Sequence, residues 1–123
     1  SERVTEAQEL IAELSDKLVE KSYDSAKLYY DLGYYKSAII ALRNSLEQYP
    51  DTQYREELLY LILRSSFLLA DNNIESKKKE RLQSTVDEYL SFKSEFPDSK
   101  YDKEAERMFR STQESLEMYS TNN

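Results

Sequence analysis

The sequence predicts an all-α fold: a solenoid of stacked helical hairpins, about five helices in all, with a long first helix and a capping last one. Three observations predict it. The 123 residues hold one Gly and two Pro, so the turn chemistry that β-hairpins draw on is nearly absent. Apolar residues recur three and four positions apart along most of the chain, which is the spacing of one helix face. A helix-start phrase is also written three times.

That phrase builds joints. Tyr49-Pro50-Asp51 leads into Thr52-Gln53-Tyr54-Arg55-Glu56-Glu57-Leu58, and Phe96-Pro97-Asp98 leads into Ser99-Lys100-Tyr101-Asp102-Lys103-Glu104-Ala105, 47 positions later. Proline disfavours the helical conformation in the residue before it and so stops one helix. Asp and then Thr or Ser offer side-chain oxygens to the unpaired N–H groups of the next. Acidic residues in the first turn suit the positive end of the helix dipole. Ser1-Glu2-Arg3-Val4-Thr5-Glu6-Ala7 reads as a third copy without its proline. This sets the expectation of an excised end of a longer solenoid, with any targeting segment lying outside the chain.

The elements follow in order. Val4, Ala7, Leu10, Ile11, Leu14, Leu18, Ala26 and Tyr29 trace one face of a helix from Thr5 to Leu32, and Gly33 supplies its left-handed cap. A second helix spans Tyr35 to Tyr49, with Ala38, Leu42 and Leu46 on one face and Ile39 nearby. The third, Gln53 to Ala70, is nearly continuously apolar and reads as the most buried. Asp71-Asn72-Asn73 reads as a turn. The fourth helix, Ser76 to Glu95, carries Leu82, Val86, Tyr89, Leu90 and Phe92. The fifth, Asp102 to Tyr119, carries Ala105, Met108, Phe109 and Leu116 and is otherwise polar, as a cap on an open stack should be.

Bulk composition narrows the function. The length suits one domain. A net charge of −7 argues against nucleic acid and against an anionic membrane surface, both of which need clustered cations. The basic run Lys77-Lys78-Lys79 with Arg81 reads first as a solvated helix start, and second as a phosphate or lipid contact. With no His and no Cys, the usual zinc sites, imidazole bases and thiol nucleophiles are excluded. A single Gly leaves no phosphate-binding loop. The carboxylates Glu56, Glu57, Asp102 and Glu106 sit in first turns, where the dipole accounts for them. No metal, cofactor or catalytic group is expected.

Counting back from Pro50 places Ala26, Tyr29, Gly33, Tyr35, Ala38 and Leu42 where a helix-turn-helix repeat of about 34 residues wants small, aromatic, turn, aromatic, small and large side chains. This resembles a tetratricopeptide repeat. The best-matching repeat covers residues 18–50. A second, closing at Pro97, spans 51–97 and carries extra length around Asn72 to Glu80, and 98–119 form the capping helix. All lie in one helical-repeat unit over 1–123. The core A-x-x-Y-Y-x-x-G-x-Y-x-x-A from Ala26 to Ala38, followed by Tyr49-Pro50-Asp51-Thr52, is similar to the carboxy-terminal half of the BamD family, lipoproteins of the outer-membrane β-barrel assembly machine. The resemblance implies a non-catalytic scaffold on the periplasmic face of the outer membrane, docked on a POTRA domain of the central barrel component and accompanied by other assembly lipoproteins. Membrane attachment would run only through a lipid anchor outside this chain. An arginine used for docking in some members falls, by spacing, at Ala41, with Arg43 only nearby.

The candidate partner-binding residues are Tyr30, Tyr34, Lys36 and Arg43. Tyr29 should face the core and Tyr30 point elsewhere, while Tyr34 and Tyr35 straddle the turn. Either all four tyrosines pack within and between repeats, or Tyr30 and Tyr34 line a partner surface, where Tyr is favoured. An exposed stripe through Val4, Ile11 and Leu18 would offer a route to a dimer. Two rival readings stand: a generic tetratricopeptide adaptor of the cell envelope, and an accessory domain of an envelope enzyme.

Overall fold

The computed structural model describes residues 1–71 and 74–122. Among them run five helices and no strand: α1 (Glu2–Asp31), α2 (Tyr35–Gln48), α3 (Arg55–Asp71), α4 (Glu75–Glu95) and α5 (Asp102–Asn122). Asn72 and Asn73, read as part of a turn, lie outside the described residues. Both ends of α1 have a local cause. The Ser1 Oγ accepts from the Val4 N–H and starts α1 at Glu2, three residues before the expected Thr5. Gly33 ends the α1 turn at φ 82°, a left-handed conformation that is costly for residues with a Cβ.

The joints at Pro50 and Pro97 are copies of one another in three dimensions. Tyr49 and Phe96 close their helices at φ −129° and −128°. Their N–H groups donate to the Ser45 and Phe92 carbonyls. The Thr52 Oγ1 accepts from the Tyr54 N–H at 3.1 Å, and the Ser99 Oγ from the Tyr101 N–H at 3.0 Å. The next helix then begins three residues on, at Arg55 and Asp102. The Pro50 carbonyl accepts from Arg55 and the Pro97 carbonyl from Lys93. The copy at Ser1 differs: its helix begins at once, with no intervening turn.

Consecutive helices pack as antiparallel neighbours, and α1 also touches α3, and α3 touches α5. These three line one face of the stack, with α2 and α4 behind them. Helix α3 sits in both halves of the core, which is why it is apolar nearly all round. Tyr23, Ala26, Ala38, Leu42, Leu58, Leu61 and Ile62 form one cluster. Leu63, Tyr89, Phe92, Ala105 and Met108 form the other, and Leu59 and Tyr60 pack against both. The equivalent joint residues Tyr54 and Tyr101 each stack flat on a tyrosine of an earlier helix, Tyr23 at 4.3 Å and Tyr60 at 4.1 Å.

Two expectations about faces need correction, on Tyr29 with Tyr30 and on Leu90, and a third holds. Tyr29 is 44% exposed and does not enter the core, whereas Tyr30 packs against it. Tyr30 lies four residues after Ala26 and seven after Tyr23, on the same stripe; Tyr29 falls on its flank. Leu90 on α4 is exposed, because the buried stripe there runs through Leu82, Thr85, Tyr89 and Phe92. Finally, α1 gains its neighbours only from Val19 onward: Val4, Leu10, Ile11, Leu14 and Leu18 are all exposed. The expected apolar stripe is present there, with nothing packed on it.

Candidate functional site

Helix α3 carries one charged residue between Glu57 and Asp71, and that residue is Arg64. It emerges on the face shared with α1 and α5. Its Nε donates to the Tyr30 hydroxyl at 2.6 Å, and its Nη1 reaches the Glu104 Oε1 at 3.3 Å. Arg107 grips the same carboxylate from one turn further along α5. Tyr30, Arg64, Glu104 and Arg107 thus form a polar line across three helices that share no joint.

The electrostatics follow from that line. Burial works against the Arg64 charge, but Tyr30, Tyr60 and Glu104 outweigh it and leave the guanidinium more firmly protonated than usual. The hydrogen bond from Arg107 is the main cause holding Glu104 below the ordinary carboxylate range. Burial pushes the Tyr60 phenol up. Burial, followed by the Glu57 carboxylate, does the same to Tyr23. None of these groups is poised near neutrality, where general acid–base chemistry works best. No cluster of three or more His, Cys, Asp or Glu that could hold a metal occurs among the described residues.

The four candidate docking residues do not form one site. Tyr30 is turned inward, tilted against Tyr35 at 5.9 Å and engaged with Arg64. Tyr34 is 61% exposed at the α1–α2 turn. Lys36 and Arg43 lie on one outward stripe of α2, seven residues apart, with the exposed Ile40 between them. Arg43 pairs with Glu88 of α4, so its charge ties the two outer helices together while about half its side chain stays open. The structure therefore separates an inner line, including Tyr30, from an outer patch of Tyr34, Lys36, Ile40 and Arg43.

Sequence reasoning missed Arg64 and Ile40. A lone cation inside an apolar helix was a usable signal for the first, because such a charge must find partners when it packs. Ile40 carried no such mark.

A stack of antiparallel helices with a charged but fully partnered inner line and an exposed outer patch defines a helical-repeat protein built on hairpin joints. The sequence profile of the YfiO family, described as outer membrane lipoprotein, matches residues 13–122. The chain belongs to this family, the one that includes BamD. No curated protein matches it. No helix of the described residues is long and apolar enough to cross a membrane.

Proposed function

We propose that this chain is a non-catalytic scaffold of the outer-membrane β-barrel assembly machine, held at the periplasmic face and docked on a POTRA domain of the central barrel component. The observation that carries the reading is the family match over residues 13–122, joined to the repeat core Ala26 to Ala38 that first suggested it. The tetratricopeptide register supports it: Ala26, Ala38 and Leu42 are buried together in the core cluster between α1, α2 and α3. Residues 18–50 form the best-matching repeat, 51–97 the extended one and 98–119 the capping helix.

The docking surface in this reading is the outer patch of Tyr34, Lys36, Ile40 and Arg43. Tyrosine and arginine are the side chains that most often anchor interfaces, and Ile40 gives the patch an apolar centre. Tyr30 is excluded from it by its inward packing.

The test is capture of partners from solubilised outer membranes by the full-length protein. Barrel-assembly components should come with the wild type. Tyr34→Ala should fold normally, because its side chain is exposed and the backbone bond it makes at the turn does not need the ring. It should capture about tenfold less or worse, as expected of an interface anchor. Capture without any barrel-assembly component would overturn the reading, as would a Tyr34→Ala chain that fails to fold.

A further inference from the structure

The basic run Lys77-Lys78-Lys79 with Arg81 has no part in the scaffold reading. We propose that the exposed first turns of α4, which carry this run, dock on an anionic phospholipid surface.

The geometry sets these turns apart. Helix α4 has 21 residues against 14 in α2. The Arg43–Glu88 pair fixes how the two lie side by side, and counting back equally along both sets Lys36 level with Arg81. Residues Glu75 to Lys79 then stand beyond the start of α2 by roughly 8 Å, at 1.5 Å per residue. The extra length of the second repeat is a taller hairpin. The end of α5 reaches the same turns, where the Tyr119 hydroxyl donates to Glu75 Oε1 at 2.7 Å.

What sets the start of α4 apart is the density of its cations and not their lack of partners, since Arg3, Lys17, Lys21, Lys36, Lys100 and Lys103 are also in no ion pair among the described residues. Lys27, Arg43, Arg55, Arg64, Lys93, Arg107 and Arg110 each make an ion pair. Among the described residues, Lys77, Lys78, Lys79 and Arg81 make none, and the Arg81 Nε is buried with no acceptor. These four cations stand against the three carboxylates Asp71, Glu75 and Glu80, a local net charge of +1, and Glu75 is already engaged by Tyr119. Ile74 and Met118 stand 66% and 64% exposed beside them. Clustered cations together with exposed apolar side chains are the combination that an anionic lipid interface accepts.

The overall charge of −7 does not forbid the contact. Salt confines electrostatic attraction to about 8–10 Å, so the groups at the contact decide its sign. The family is one of outer membrane lipoproteins, and a tether beside a bilayer makes even a weak second contact count. The proposal does not depend on which protein the outer patch binds.

Vesicle flotation of the whole chain tests it. The protein should float with vesicles containing phosphatidylglycerol and not with pure phosphatidylcholine, and should detach as sodium chloride is raised. Lys77→Gln/Lys78→Gln/Lys79→Gln should weaken binding about tenfold or more, and Ile74→Ser should weaken it further. Lys100→Gln/Lys103→Gln removes exposed charge at the opposite end of the stack and should leave binding unchanged. All these changes are on the surface, and circular dichroism should show the same helix content in each. Equal flotation with both vesicle types, flotation with neither, or equal losses in the two lysine variants would each overturn the proposal. So would displacement by inorganic phosphate at matched ionic strength, because the cations would then hold a soluble anion.

Discussion

Arg64 shows how one residue can tie distant parts of a solenoid together. Solenoid helices mostly contact their sequence neighbours, yet Arg64 links Tyr30, 34 positions before it, to Glu104, 40 positions after it. A double-mutant cycle between Tyr30→Phe and Arg64→Met should give a coupling of about 0.5–1.5 kcal/mol, read by urea denaturation. A coupling of zero would mean the contact is incidental. Glu104 adds a pH dependence whose sign is set by its lowered pKa. Its contribution is complete above the ordinary carboxylate range and is lost only as pH falls through the lower folded-state value. The stability gap between wild type and Glu104→Gln should therefore be open at neutral pH, at about 0.5 kcal/mol for a solvent-screened pair, and should close in acid. Arg64 was visible in the sequence as a lone charge in an apolar run, but its partners were not. They are chosen by how α1 and α5 lie against α3, which no local pattern encodes.

At the scale of the element, the joints carry the structure. The hydroxyls of Thr52 and Ser99 occupy equivalent places and make equivalent bonds. Thr52→Ala and Ser99→Ala should therefore each cost about 1 kcal/mol, as the loss of one part-buried hydrogen bond generally does, and the two costs should match within a few tenths. A large difference would show that the copies are alike in form but not in energy. These joints, and the five helices they separate, were legible beforehand because Pro, Gly, Ser and Thr act on the backbone within a turn of themselves. Face assignment was less secure. Tyr29 and Tyr30 are adjacent, and a helix turns about 100° between them, so the choice of which one is buried rests on where α2 and α3 lie. The same holds for Leu90 beside Tyr89.

For the whole molecule, the two core clusters meet in α3, and the two ends of the stack depend on it unequally. The first half of α1 has no packed neighbour and is held by its own backbone bonds, which alone give marginal helices in water. Amide exchange should be fastest over residues 2–18 and slowest in α3, with α2 and α4 between. Met108→Ala, at a fully buried position, should cost about 2–5 kcal/mol. It should speed exchange in α4 and α5 much more than in α2, because solenoid stability is a sum of neighbour terms. Uniform acceleration would instead show that the five helices unfold as one unit.

By itself the sequence determined the class of fold, the number and rough bounds of the helices, the joints at Pro50 and Pro97 and the family resemblance, because all of these rest on short-range signals. Only the tertiary structure decided that Tyr30 and not Tyr29 turns inward, that Arg43 is tied to Glu88, that Arg64 spans three helices, and that the second hairpin stands taller than the first. Each of those depends on how one helix is rotated and offset against another. That is settled by the packing of many side chains at once, and the spacing along a single helix does not contain it.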